Sequence, residues 1–441
     1  MTGEAISVSA ALAAVRSGDI PQARAVIAAL VEEEFGFSVQ VVTIGVDGYS
    51  LNSVNGFIDS AQKGTSFFKF HHEENEETVL EEFYRGEILR DAGYPIDMPV
   101  YVSRRPGRQI LLYRKRDTPK FADVARAVDA GGASDPLRGV AIAAQEELDT
   151  LTSSIYRDSW HAVTDAESAG EPIHQLFYHR LTDANGAPDK PGGRAARFFR
   201  GDRVFNLPGA TLSGSDLCGL RWRIDGVDYD RTIAACFHTS LRALAPAHLA
   251  RSGGVVAHGG AHNANVWFGA DAEQAHLCFF DPAFAGRHVP ALLAEIKATF
   301  HNIFAHADWL YHPDVLAAKP VMRVENQTAI VETGWSLTPL RRSFLQGKAK
   351  RLWRPLLGEL HERGALPENW RETIRCGLFC CPTLVLDLCP GAGRHTPHSA
   401  LLGLSIAVMC GAEPQAHGAD PVARFLDAID PLLTQPDFET I

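Results

Sequence analysis

The sequence predicts an α+β protein of two lobes, a small β-rich one followed by a large helical one. Three observations carry this. Near residue 37 the composition shifts from alanine-rich apolar positions at helical spacing to β-branched runs. After Asp117 helical spacing returns and dominates to the end of the chain. Within that second part, His258-Gly259-Gly260-Ala261-His262-Asn263-Ala264-Asn265 is followed sixteen residues later by Asp281, which closes a short apolar strand. The expected divisions are a helical segment at 1–36, the small lobe at 37–116 and the large lobe at 117–441, with a deep cleft between the lobes.

In chain order, Ala5 to Phe35 breaks at Gly18-Asp19-Ile20-Pro21, so two short helices are expected. Val39 to Ile44 is strand-like, the Gly/Ser/Asn stretch Gly45 to Gly56 reads as a loop, and Thr65 to Phe70 as the next strand. An acidic helix is expected from about Glu73 to Ala92, stopped by Gly93-Tyr94-Pro95. Val100 to Val102 and Gln109 to Tyr113 form a hairpin pattern around Arg105-Pro106-Gly107. Beyond Asp117, helices are expected at Val140 to Trp160, Arg231 to Ala250, Val289 to Phe304, Leu337 to Arg363 and Trp370 to Leu388. Breaks are expected at Pro355 and Pro382, and Gly186 to Gly201 reads as a loop.

Of 441 residues, 46% are hydrophobic and 22% charged, enough apolar material for two or three substantial cores. No apolar run approaches the ~20 residues that span a bilayer, and Met1 to Val15 lacks the basic flank of a signal peptide. A net charge of −11 argues against general nucleic-acid binding, which needs a basic surface. It suits a cytoplasmic enzyme, and acidic surface near a site could attract a cationic substrate. The eight cysteines lack paired CxxC hooks and read as reduced, buried thiols rather than a zinc site. Nothing in the pattern specifies an oligomeric state.

Phosphoryl transfer needs phosphates clamped, charge neutralised and a nucleophile aimed. Between the first strands, Ser50, Asn52, Ser53 and Asn55 stand in a stretch suited to cradling phosphates. Lys69 alternates with Phe68 and Phe70, so it projects to the face opposite those rings. Glu82 of the following helix would hold it, with Glu87 as the alternative. Asp281 offers a hard carboxylate oxygen and Asn265 an amide oxygen, the donor chemistry of Mg²⁺. His258, after apolar Val255-Val256, would anchor the loop.

The loop and Asp281 resemble the aminoglycoside phosphotransferase-like family of small-molecule kinases, whose fold is protein-kinase-like. Its loops run His-Gly-Asp-x-His-x-x-Asn. The resemblance covers about residues 37 to 290, with its specific motifs confined to 258–265 and 281. It implies ATP as a substrate with Lys69 on its phosphates, and Mg²⁺ on Asn265 and Asp281. It also implies a hinge near Leu111 to Arg114, including Leu112 and Tyr113, that grips adenine. Inserted helices of the second half would receive the acceptor, a small polar metabolite or antibiotic-like molecule with a free hydroxyl.

One position departs from the family: Gly260 stands where it has the catalytic aspartate, and glycine can neither accept nor orient a proton. Three accounts compete. The chain is a pseudokinase that binds nucleotide without transferring it; or another group, such as His262, serves as base; or the fold transfers a nucleotidyl group instead.

Three further clusters have two readings each. His71-His72 beside Glu73 and Glu74 is a solvated helix start or a metal site. His288, His301, His306 and His312, around Trp309 and Tyr311, line an acceptor pocket or pack an interface. Arg341, Arg342, Lys348, Lys350, Arg351 and Arg354 form a solvated or acid-paired helix face, or one that binds an anionic partner.

Overall fold

The computed structural model describes residues 6–45, 53–71, 78–131, 135–183, 190–270, 275–305, 307–416, 418–439 and 441. Helix α1 (Val8–Ser17) begins where the Ser7 hydroxyl accepts the Ala10 N–H and stops at Gly18, φ 78°. Helix α2 (Ile20–Phe35) begins at Asp19, whose carboxylate accepts the Gln22 N–H, with Pro21 in its first turn; it stops at Gly36, φ 74°.

The small lobe is one antiparallel sheet of β1 (Val41–Ile44), β2 (Ser53–Ser60), β3 (Gly64–His71), β4 (Tyr101–Val102) and β5 (Leu111–Arg114), in the order β1-β2-β3-β5-β4. The strand β2 corrects the expectation of a loop running to Gly56. Gly56 serves sheet packing: a Cβ there would lie 2.0 Å from the Thr43 carbonyl oxygen and 2.7 Å from the Phe68 ring. Strand alternation divides the sheet into two faces. Ile58, Phe68, Phe70 and Leu112 pack under α1 and α2 with Ile27, Leu30 and Val31. The opposite face carries Lys69, which stands in register with Asn55 on β2 and Leu111 on β5. Helix α3 (Thr78–Asp91) packs beside β3.

The large lobe starts with α4 (Phe121–Asp129) and the 25-residue α5 (Asp135–Ser159), followed by α6 (Asp165–Ala169), α7 (Tyr178–Leu181) and α8 (Gly193–Phe198). Helix α8 lies inside the stretch read as a loop. Next come the hairpin β6 (Val204–Leu207) and β7 (Ala210–Ser213), then α9 (Gly214–Gly219), β8 (Arg221–Ile224) and β9 (Val227–Asp228). Helices α10 (Ile233–Ala243) and α11 (Pro246–Leu249) replace the single expected helix, because Pro246 opens a new one. Strands β10 (Gly254–Ala257), β11 (Val266–Ala270), β12 (Ala275–Phe279) and β13 (Gly286–Pro290) frame the motif loop. Val289 and Pro290 therefore belong to a strand rather than to the expected helix, which is α12 (Ile296–Thr299) running into a π-helical turn, Phe300–Phe304.

After α13 (Ala307–Leu310), β14 (Val321–Glu325) and β15 (Thr328–Glu332) join β8 and β9 in a second sheet, ordered β14-β15-β8-β9, which the sequence reading did not foresee. Helix α14 (Pro339–Lys348) continues through a π turn, Ala349–Trp353, into α15 (Arg354–Glu362); α16 (Trp370–Val385), α17 (Pro397–Gly411) and α18 (Pro421–Ile429) complete the chain. Neither expected proline break occurs. Pro355 follows directly on the π turn, where the regular α-helical ladder is already interrupted, and Pro382 sits within α16, close to its end.

The basic stretch at 341–354 divides: Arg341 and Lys348 are buried and acid-paired, Arg351 pairs with Glu146 at the surface, and Arg342 and Lys350 are exposed. Arg341 bonds Asp129 at 2.8 Å, and Lys348 bonds Asp149 at 2.7 Å and Glu295 at 2.9 Å. All eight cysteines are free thiols. Among the described residues no helix is long and apolar enough to cross a membrane.

Candidate functional site

Two antiparallel ribbons hold the motif loop. β10 pairs with β13, and β11 with β12. Every residue of β10 is buried, as its uninterrupted apolar run requires. The loop 258–265 leaves β10 and enters β11, so register decides what it meets. Val266 stands opposite Phe279, and the next pair is closed by the Phe280 N–H donating to the Asn265 carbonyl at 3.0 Å. That pairing puts Asn265 one residue from Asp281 across the ribbon.

His258 is buried and uses both ring nitrogens. Nε2 lies 3.0 Å from the Phe280 carbonyl oxygen, and Nδ1 lies 3.3 Å from the Gly260 N–H. Only a neutral imidazole protonated on Nε2 satisfies both. Burial lowers its pKa in agreement, so His258 braces the loop and is not built to move protons.

The two glycines differ. Gly259 has φ 69°, and a Cβ there would lie 2.4 Å from the Phe284 carbonyl oxygen, so the position demands glycine. Gly260 carries no such demand. A Cβ there would meet Phe284 Cδ2 at 3.5 Å, His258 Nδ1 at 3.7 Å and Asn265 Nδ2 at 3.8 Å, all ordinary contacts. No carboxylate is among these nearest atoms.

The Asn265 amide NH₂ donates to the Gly260 carbonyl at 3.1 Å, which commits its nitrogen to the loop and fixes the direction of the acceptor Oδ1. Asp281 has φ 58°, a left-handed conformation rare outside glycine, immediately before Pro282. Lys69 Nζ donates to Asp281 Oδ1 at 2.7 Å, joining the sheet of the small lobe to the motif of the large one. The pair is partly screened from water, with 11% of the lysine and 35% of the aspartate side chain exposed.

Asp281 and Asn265 supply hard oxygen donors of the kind Mg²⁺ takes. Among the described residues no cluster of three His, Cys, Asp or Glu side chains forms a complete protein cage. A cation held here would therefore share its shell with phosphate oxygens and water, which is the usual habit of Mg²⁺.

The other expected residues fall as follows. Asn55 is buried on β2 opposite Lys69. Ser53 pairs with His71 through the β2–β3 backbone, while Ser50 and Asn52 lie outside the described residues, as do His72, Glu73, Glu74 and His306. For Glu82 only its place on α3 is described. The carboxylate of Glu87 stands 3.9 Å from Arg90 on the same helix. The side chain of Leu112 belongs to the core under α1 and α2, and Leu111 and Tyr113 occupy the Lys69 face. His288 pairs with His161 at 2.8 Å, whereas His301 bonds the Tyr311 hydroxyl at 2.6 Å and lies tilted against the His262 ring, 5.4 Å between centroids.

Sequence reading missed Phe284, Lys297 and Arg180. The Lys297 ammonium lies 5.3 Å from the centroid of the Phe284 ring, the same ring that faces Gly260. Burial, then the nearby Arg180, pull the Lys297 pKa down to about 8, against an opposing pull from Asp281. Burial and Lys297 hold the imidazoles of His262 and His301 far below their usual range, and both rings are neutral near pH 7. The signal that could have exposed Lys297 is its place, with Glu295, as a charged intruder in the apolar run Ala291 to Phe304.

No family model matches the sequence, and no curated protein matches it. Among solved structures, the chain is similar to spectinomycin phosphotransferase in complex with ADP and spectinomycin, at 11% identity and a TM-score of 0.36, over 87% of this chain and 98% of that one. It is similar to a candidate fructosamine-3-kinase from Thermobifida fusca at 15% identity and a TM-score of 0.39, over 87% and 98%. A macrolide 2′-phosphotransferase from Brachybacterium faecium matches at 13% identity and a TM-score of 0.30, over 81% and 98%. At these scores the likenesses lend no weight to the reading of the site, which rests on its geometry. The α+β architecture expected from the sequence, an antiparallel sheet followed by a largely helical region, is the one the chain has.

Proposed function

We propose that the chain is an ATP- and Mg²⁺-dependent phosphotransferase acting on a hydroxyl of a small polar molecule. The observation that carries this reading is the convergence of Lys69 with Asp281, on a ribbon that also presents Asn265. In this reading residues 37–116 clamp the nucleotide and residues 117–441 supply the loop and the acceptor site. The eight free thiols suit a reducing, cytoplasmic setting.

Lys69 would exchange Asp281 for the nucleotide phosphates, and Asp281 and Asn265 would then hold the metal. Mg²⁺ supplies neutralisation of phosphate charge when bound. Leu111 and Tyr113, on the same face as Lys69, would border the base. Transfer forms a bond between the acceptor oxygen and the γ-phosphorus and breaks the bond from that phosphorus to the β,γ-bridging oxygen, which leaves with its electron pair on ADP. The acceptor proton finds no carboxylate at residue 260. His262 is assigned as its recipient in this reading, although burial and Lys297 disfavour the charged imidazole and so weaken it as a base.

Gly260 favours a second reading, a pseudokinase that binds nucleotide and transfers nothing. ATP binding followed by ATP consumption over a panel of hydroxyl compounds separates the two, with Gly260→Asp run in parallel. Turnover by the wild-type chain supports the phosphotransferase. Binding without turnover in both proteins supports the pseudokinase. Turnover in Gly260→Asp alone would mean that the glycine silences an otherwise complete site.

A further inference from the structure

Beyond Gly260 the large lobe gathers cations that its own side chains leave uncompensated. Lys297 stands on α12 against Phe284, and Arg180 stands on α7 near enough to repel it. Neither the Lys297 ammonium nor the Arg180 guanidinium makes a hydrogen bond or ion pair with any described residue. Burial is the main reason both lose basicity, Arg180 down to about 10, with Arg194 adding to the repulsion on that side. The groups that face Lys297 are Arg180, the neutral His258, His262 and His301, the thiol of Cys381 on α16, and one carboxylate, Asp281. Asp281 already accepts from Lys69.

A polar atom without a partner lies in the same cluster. His301 is 5% exposed, its Nδ1 meets the Tyr311 hydroxyl at 2.6 Å, and its Nε2 is buried with no hydrogen bond. If the tyrosine donates to Nδ1, the proton sits on Nε2 and is offered to a further acceptor. An unsatisfied buried donor costs about 1–3 kcal/mol, so a ligand that accepts from it recovers that loss.

The elements that carry these groups are held firmly. Glu295, just before α12, accepts from Tyr156 at 2.6 Å and from Lys348 at 2.9 Å. Thr299, at the end of α12, accepts from the Trp353 indole at 2.8 Å. Gly377 lets α12 lie against α16: a Cβ there would come within 2.9 Å of Ile296. The next turn, which carries His301, is π-helical, a departure that recurs at functional sites.

We propose that Lys297 and Arg180 receive an anionic group, carboxylate or phosphate, on the acceptor molecule, beside the loop at Gly260. This rests on the phosphotransferase reading and gives its substrate class: a hydroxyl compound that is negatively charged. It runs against the cationic acceptor that the net charge of the chain suggested, because the local balance around α12 is positive. The anion would hold the acceptor through two charges and the His301 Nε2–H, leaving its hydroxyl toward Asp281 and the nucleotide.

The test is isothermal titration of the full chain, loaded with ADP and Mg²⁺, using lactate, inorganic phosphate, 1,2-propanediol and ethanolamine as probes. Lactate or phosphate is expected to bind, and which of them does so separates a carboxylate from a phosphate acceptor. Lys297→Met and Arg180→Met are each expected to weaken that binding roughly tenfold to a hundredfold, the size of a lost charged hydrogen bond. Their affinity for ATP should stay within about twofold of wild type, and Lys297→Gln guards against a packing artefact. Binding of ethanolamine or 1,2-propanediol in preference to the anions would overturn the proposal while leaving the phosphotransferase standing. So would no probe binding by a chain that binds ADP, or a loss of ATP affinity as large as the loss for the anion, which would give the two cations to the γ-phosphate. A folded chain that binds no nucleotide would overturn the phosphotransferase reading itself, and this inference with it.

Discussion

Lys69 Nζ and Asp281 Oδ1 stand 2.7 Å apart although 212 positions separate them in the chain. The strand that presents Lys69 belongs to the N-terminal sheet and the ribbon that presents Asp281 to the largely helical region, so this contact joins the two. Lys69→Met keeps the bulk of the side chain and removes its charge. It should raise the Kd for ATP about tenfold to a hundredfold, with little change in melting temperature because the aspartate is partly solvated. Calorimetric titration alongside thermal unfolding checks both parts.

The neighbouring glycines should answer substitution differently. In Gly260→Asp the new Cβ meets only ordinary contacts, so the cost in urea unfolding should be about 1 kcal/mol, set by a carboxylate at a buried position rather than by backbone strain. Gly259→Ala forces a Cβ into a left-handed backbone and against the Phe284 carbonyl, and should cost about 1–3 kcal/mol or more.

Buried His174 predicts acid sensitivity. Its Nε2 faces the Ser168 carbonyl at 2.9 Å, and burial pulls its pKa from 6.5 down to about 4. Between those values the unfolded chain binds the proton and the folded chain does not, so stability is lost as pH falls from 6.5 toward 4. At pH 5 this one group costs about 2 kcal/mol. His174→Gln keeps a donor for Ser168 and cannot titrate, so its stability should fall less steeply over that window. Urea unfolding at pH 7 and pH 5 measures the difference.

Lys348 lies between two buried carboxylates, Asp149 and Glu295. Lys348→Met strands them and should cost about 3–5 kcal/mol. Adding Asp149→Asn and Glu295→Gln should recover part of that loss, because the stranded charge is the cause. Chemical unfolding of the single and triple variants decides it.

The sequence was most legible where chemistry and spacing coincide. Gly18 and Asp19, read as the break between two helices, are the residues that end α1 and open α2. His258, Asn265 and Asp281 announce themselves as a set, and the alternation of Lys69 with Phe68 and Phe70 gives its face. The second sheet was harder. Its turns run through Asp225-Gly226 and Asn326-Gln327, all at positive φ, and the first is a recognised hairpin signal that the surrounding helices obscured. The facing of Leu112 was not legible, because a stretch assigned to a hinge carries no mark of which side chain faces which way until its register with Phe68 is known. Lys297 and Arg180 could not be brought together from sequence, since they stand on α12 and α7, far apart in the chain.

Lys69, Asn265 and Asp281 are proposed to make a nucleotide–metal site. Titration of ATP into the wild-type chain and Asp281→Asn, with and without Mg²⁺, tests it most directly. The account predicts that Mg²⁺ tightens ATP binding to the wild-type chain about tenfold or more, and that Asp281→Asn removes this gain while still binding ATP weakly. A folded wild-type chain that binds no ATP, or an Asp281→Asn variant with the gain intact, would contradict it.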